Sequence, residues 1–185
     1  MNSRAIPTRY KGCLFRSRNE ARWAVFFETM GIRWTHEAEG FRIPNYSGYL
    51  PDFYVEPWRS WVEIKSGDPS PEERAKCRLL SDTTNQFVLL LAGEPYPARY
   101  HAFLCVPKDH PWPYDPEDFI GPGELAQSRN GHGLWFVEPM AAAICLDHTD
   151  ASKAEDSSDM PLLTEKLQQA FDAARSARFE HGAAT

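Results

Sequence analysis

Trp61-Val62-Glu63-Ile64-Lys65 sets a carboxylate and an ammonium two residues apart inside an apolar run. Side chains alternate along a strand, so Glu63 and Lys65 project from one face while Val62 and Ile64 project from the other. Asp52 stands upstream, in Leu50-Pro51-Asp52-Phe53. A hairpin through Pro57 that places Val55 near Trp61 brings Asp52 level with residues 63 to 65, although a slip of one residue changes its face. Glu20 offers a fourth group, because positions 20, 24, 27 and 31 share one helix stripe. The same residue completes an S-x-x-E capping box with Ser17, a purely local role. Two or three carboxylates beside a lysine in a half-buried pocket are costly unless a cation joins them. Hard oxygen ligands select Mg²⁺ or Mn²⁺. Such an ion polarises a phosphoryl oxygen and acidifies a bound water. Lys65 beside it would orient the nucleophile or stabilise charge on the phosphate. This is chemistry suited to cutting a phosphodiester bond.

The elements that must position these groups are readable. Ser17 caps a predicted helix over 17–30, and Gly31 stops it. Trp23, Ala24, Phe26, Phe27 and Met30 give that helix a wide apolar face. Short strands are predicted over 33–37, 41–44, 49–55 and 61–66, punctuated by Gly40 and by the 45–48 and 56–60 stretches. Ser70-Pro71-Glu72-Glu73 starts a second helix, expected to end near residue 82. Residues 87–92 are wholly apolar and suit a strand buried on both faces, and 100–106 is a further strand. Five prolines and four glycines in 107–133 predict no regular element there, with Trp112 and Tyr114 pinning a surface loop. A terminal hairpin over 134–137 and 144–147 follows. An acidic linker over 149–159 then leads to an amphipathic helix within 161–178, carrying Leu163, Leu167, Ala170, Phe171 and Ala174. The order is that of an α/β protein. Residues 1–148 read as one domain with its core at about 14–106, and 149–185 as linker plus C-terminal helix.

The 185 residues carry 20 Lys and Arg against 26 Asp and Glu, a formal net charge of -6. That acidity argues against a nucleic-acid partner only if the charge is even. It is not: Arg4, Arg9, Lys11, Arg16, Arg18, Arg22 and Arg33 face only Glu20 and Glu28 within residues 1–34. Such asymmetry marks either a local anion-binding surface or a solvated basic end. Hydrophobic residues at 42% and charged residues at 25% supply a core, which excludes disorder throughout. No apolar run reaches the length of a membrane span, and the first residues lack the apolar stretch of a secretory leader, so a cytoplasmic protein without membrane contact is expected. Cys13, Cys77, Cys105 and Cys145 form no C-x-x-C pair, and the histidines no H-E-x-x-H, so zinc-finger and thiol-redox classes find no support. Cys105 and Cys145 lie in apolar runs and read as buried thiols.

Glu20 on a first helix, Pro51-Asp52 and Glu63-Ile64-Lys65 on strands, then a helix and a buried strand, form an order that resembles the PD-(D/E)xK nuclease superfamily. The resemblance covers about residues 14–92 and is nearest to small nuclease-like proteins of phages and bacteria. The stretch 174–182 also resembles tails found among them. It implies a restriction-endonuclease-like core, a mixed sheet flanked by helices. It implies Asp52 and Glu63 as ligands of Mg²⁺ or Mn²⁺, the Ile64 carbonyl as a third ligand, and Lys65 as the catalytic lysine. Glu20 would reach the metal directly or through water. DNA would be the substrate, in phage or bacterial DNA processing, repair, recombination or restriction. Arg16, Arg18 and Arg22 at the start of the first helix, and Lys76 on the second, are then candidate phosphate contacts; as solvated helix charges they would do nothing. Trp58 and Trp61 would stack on a base or simply pack. Two other classes stay open: a nucleic-acid-binding or accessory protein that keeps the fold without cutting, and a homodimer or partner-docking module built on the C-terminal helix.

Overall fold

The structure, a computed structural model, describes residues 5–109, 119–127, 133–138, 142–146 and 163–179. A short hairpin, β1 (Thr8–Tyr10) and β2 (Cys13–Phe15), leads into α1 (Arg18–Met30). Next come β3 (Trp34–His36), a second hairpin of β4 (Phe41–Ile43) and β5 (Tyr46–Tyr49), and β6 (Phe53–Val55). A 3₁₀ turn over Glu56–Trp58 joins β6 to β7 (Ser60–Lys65), and α2 (Pro71–Thr84) crosses to β8 (Val88–Gly93). The rest comprises β9 (Tyr100–Cys105), β10 (Phe119–Gln127), β11 (Leu134–Glu138), β12 (Ala142–Cys145) and α3 (Glu165–Ser176).

One mixed sheet of eight strands, among the described residues, runs in the order β12-β11-β10-β9-β8-β7-β6-β3. Only β7 and β8 are parallel within it, and α2 is the crossover that a parallel pair demands. The helices form where the sequence signals them. Ser17 Oγ accepts the Glu20 N–H, and Gly31 at φ 75° closes α1 by donating to the Glu28 and Phe27 carbonyls. At α2, Ser70 and Glu73 cap each other reciprocally, a box that accompanies the Pro71 start.

The helices divide between the faces. On one, α1 and α3 pack an aromatic cluster in which Phe26 meets Phe171 at 4.9 Å, and Trp23 meets Tyr100 at 5.2 Å. Trp58 is buried against Phe27, so it packs rather than offering a platform for a base. On the other face α2 covers a smaller cluster built on Trp61, Cys77, Leu80, Leu90 and Phe103. There Trp61 packs between Phe41 and Tyr54. The apolar side of α3 (Leu167, Ala170, Phe171, Ala174) is buried within the chain's own core, the side a docked partner would need. Among the described residues no helix is long and apolar enough to cross a membrane.

Three expectations are corrected. The predicted strand over 49–55 is two strands: Tyr46–Tyr49 pairs with β4 as a separate hairpin, and Phe53–Val55 belongs to the main sheet. Pro51 lies at the break, where it has no N–H to give a ladder. The loop predicted over 107–133 contains the nine-residue β10, paired on both sides. Its register on β9 shifts between Ile120 and Gly123, so Pro122 falls within a bulge and the ladder survives around it. Gly123 lets the strands close up, since a Cβ there would collide with the Val137 carbonyl. Cys105 is buried but Cys145 is only partly so, and none of the four cysteines is in a disulfide. Trp112, Tyr114 and the 149–159 linker lie outside the described residues.

Candidate active site

The site grows from a place where two strands part. The β6–β7 ladder pairs Val55 with Ser60, Tyr54 with Trp61 and Phe53 with Val62, and ends there. One step further Asp52 stands at the level of Glu63. Its main-chain carbonyl turns away to accept the Glu37 N–H at 3.0 Å. Its side chain replaces the lost ladder bond: Oδ2 accepts the Ile64 N–H at 2.8 Å. A strand residue directs its N–H and C=O to the same side, so the Ile64 carbonyl also faces this gap. Asp52, Glu63 and the Ile64 main chain therefore meet at the parted end of the strands, with Asp52 and Glu63 both buried.

Glu63 and Lys65 share the α2 face of β7, as alternation requires. Lys65 Nζ donates to Glu63 Oε1 at 2.7 Å and lies 3.7 Å from Glu73 Oε1. The second Glu63 oxygen, Oε2, is buried and carries no hydrogen bond within ordinary distance and angle. Glu63 and Lys65 open onto a cleft of about 400 Å³ lined also by Arg16, Glu37, Tyr49, Glu73 and Lys76. Tyr49 Oη faces Glu63 and lies 4.0 Å from Cys77 Sγ. Burial, with Cys77 and Glu63 nearby, pushes its pKa far up, so it is a neutral hydroxyl at any ordinary pH.

Electrostatics separate the charged groups by role. Burial, then Glu63 and Glu20, raise the Asp52 pKa well above the usual carboxylate range, against the opposing Ile64 N–H and Lys65. Burial alone would lower the Lys65 pKa, but Glu63, Asp52 and Glu73 outweigh it and the net shift is upward. Lys65 is thus a fixed ammonium. Glu73 is partly desolvated, yet its bonds from Ser70 and the neighbouring Lys65 bring its pKa down.

Glu20 is buried at the start of α1 and both its oxygens are engaged, one by the Arg16 N–H at 3.0 Å and one by the Ser17 hydroxyl at 2.7 Å. The cap therefore holds this carboxylate. Arg16 spans the cleft mouth, donating from Nε to Glu37 at 2.7 Å and lying 3.9 Å from Asp52. Lys76 lines the cleft while pairing with Glu72 at 2.8 Å and resting over the Tyr46 ring. Arg18 and Arg22 are not part of the cleft lining; Arg22 turns to Glu94 instead, at 2.7 Å. Tyr49, Glu37 and Glu73 were not singled out from sequence. For Glu73 a signal existed, the S-x-x-E spacing from Ser70; Tyr49 and Glu37 reach the site only through the fold.

A hard divalent cation fits the donors in part. Asp52, with its raised pKa, and the bare Glu63 Oε2 form an oxygen cluster short of positive charge, and the Ile64 carbonyl faces the same gap. Among the described residues no group of three or more His, Cys, Asp or Glu side chains is arranged to hold a metal ion. With both its oxygens engaged by Arg16 and Ser17, Glu20 would meet such an ion through water, and main-chain and water oxygens would complete the shell, as Mg²⁺ commonly requires. No protein-family model matches the chain, and no match is found among curated proteins or solved structures. Fold and site together define an α/β protein with a large mixed sheet, three helices among the described residues, and a charged cleft in which Lys65, Lys76 and Arg16 face Glu37, Glu63 and Glu73.

Proposed function

We propose that this protein is a metal-dependent nuclease of the PD-(D/E)xK type, with a restriction-endonuclease-like core, that hydrolyses phosphodiester bonds of DNA. The observation that carries the reading is the bond from the Ile64 N–H to Asp52, which holds that carboxylate between Glu63 and Lys65 where β6 leaves β7. Asp52, Glu63 and the Ile64 carbonyl would hold Mg²⁺ or Mn²⁺. When bound, such an ion polarises a phosphoryl oxygen and lowers the pKa of a water. The chain's own groups do the rest. Lys65, kept protonated by its acidic neighbours, stabilises negative charge on the phosphate and is not a proton acceptor. Glu63 and Glu73 hold its ammonium from two sides. Arg16 and Lys76, which line the cleft, would engage flanking phosphates.

The test is a cleavage panel of linear, nicked, branched and single-stranded DNA, with RNA alongside, in Mg²⁺ or EDTA. Cleavage is expected in Mg²⁺ alone. It should fall by about 10²-fold or more in Asp52→Ala and in Lys65→Ala. No cleavage of any substrate in Mg²⁺ or Mn²⁺, with DNA binding intact in both variants, would leave a fold-keeping binder instead.

A further inference from the structure

A second basic feature lies away from the cleft. Arg22 on α1, Arg99 in the loop after β8, and Arg175 in the last turn of α3 line one small pocket of about 70 Å³ together with Glu94 and Tyr96. Three guanidinium groups from three separate elements thus meet around one carboxylate. Glu94 is engaged by Arg22. Arg175 lies over the Tyr96 ring at 4.7 Å, and neither Arg99 nor Arg175 has a carboxylate partner among the described residues. On a chain of net charge -6, convergence of three cations is not a consequence of general basicity. Glu94 offsets only one of the three charges, so the pocket keeps an excess of positive charge that a further anion would relieve.

The loop that carries Arg99 is built rather than loose. Gly93 at φ 111° is needed because a Cβ there would collide with the Arg99 carbonyl. The Arg99 N–H closes a turn onto the Tyr96 carbonyl at 2.9 Å. Gly93 itself is anchored to α1, its carbonyl accepting from Asn19 Nδ2 at 2.9 Å and from Trp23 Nε1 at 3.1 Å. Asn19 Nδ2 also reaches the Lys65 carbonyl at 3.2 Å, and Lys65 stands level with Ala92 in the parallel ladder. The arginine pocket and the Lys65 cleft thus lie at the same end of the parallel pair β7 and β8, joined through one asparagine.

We infer that Arg22, Arg99 and Arg175 form a second phosphate-binding site, which takes the backbone of the same nucleic-acid strand that the cleft engages. Guanidinium groups suit the phosphodiester because they donate in a planar fork. A strand carries one charge for roughly every 3.4 Å of helix axis, so one that crosses this end of the sheet presents phosphates to both places. The site also gives α3 a binding role through Arg175, although its apolar side is buried. The identity of the ligand rests on the nuclease reading; the pocket itself does not.

The experiment reads binding without cleavage: fluorescence anisotropy of a labelled DNA duplex in EDTA, across a salt series. Arg99→Gln should lower the slope of log K against log salt by about 0.9, and Arg99→Gln with Arg175→Gln by about 1.8. Arg99→Lys should restore most of the slope. Arg99 is exposed and its side chain makes no hydrogen bond or ion pair among the described residues, so equal thermal midpoints are expected. An unchanged slope and affinity in the double variant overturns the inference. So does failure of the unaltered protein to bind duplex. In that case titration with inorganic pyrophosphate, and its loss in the double variant, reassigns the pocket to a small phosphate ligand. A protein that never cuts DNA yet shows the expected slopes contradicts the nuclease reading and supports this one.

Discussion

On the α1 side of the sheet Val62 and Ile64 join Trp23, Phe27, Phe53 and Trp58 in a dry aromatic layer, while on the α2 side the alternate residues of the same strand, Glu63 and Lys65, meet Tyr49, Glu73 and an open cleft. Only the first layer is closed by two helices, α1 and α3. The second is covered by one helix and by the β4–β5 hairpin, with Phe41 against Trp61. Strand alternation makes the difference: one row of β7 feeds the aromatic core, and the other, beyond Trp61, carries the charged side chains of the cleft.

Unfolding measurements should separate the two layers most sharply. Phe27→Ala removes a fully buried ring and is expected to cost about 3–5 kcal/mol in urea denaturation. Asp52→Asn, which keeps an acceptor for the Ile64 N–H, is expected to leave the metal-free protein as stable as before or more so. The sign follows from the pKa: the folded value lies above the unfolded one, so the charged carboxylate costs stability once the pH rises through it. A loss from Asp52→Asn as large as that from Phe27→Ala would make the site part of the scaffold. The smallest expected effect lies at the β3 edge of the aromatic layer. His36 sits against Phe15 at 4.4 Å, and burial lowers its pKa in spite of Glu37. The unfolded chain therefore takes up this proton first, and stability falls as pH drops below the ordinary histidine range. Between about pH 7.5 and 5.5 the thermal midpoint should drop less in His36→Leu than in the unaltered protein.

Much of this was legible because it is local. The capped helix from Ser17 to Gly31, the start of α2 and the E-x-K alternation are fixed by neighbours in sequence, and all three formed as read. Counting a hairpin turned at Pro57 brings Asp52 only to the level of residues 63 to 65 and leaves its face open; the ladder pairs Val55 with Ser60 rather than Trp61, and that one-residue difference sets Asp52 beside Glu63. What escaped depends on distant partners. The strand around Pro122 exists because β9 and β11 pair with it and a bulge absorbs the proline. Tyr49 reaches the cleft because its hairpin folds onto α2, a placement with no trace in the local pattern. Arg99 and Arg175 lie 76 positions apart and meet only in the folded chain. Glu20 shows the converse: its local cap, legible from spacing, engages both oxygens of a residue that the family resemblance assigns to the metal.

The central claim is that Asp52, Glu63 and the Ile64 carbonyl form one cation site. Anomalous diffraction from crystals of the full chain soaked in Mn²⁺ at neutral pH tests it most directly. One strong peak within coordination distance of Asp52 and Glu63 is expected, absent from Asp52→Asn crystals soaked alike. No peak there at saturating Mn²⁺, or an equal peak in the variant, would contradict it.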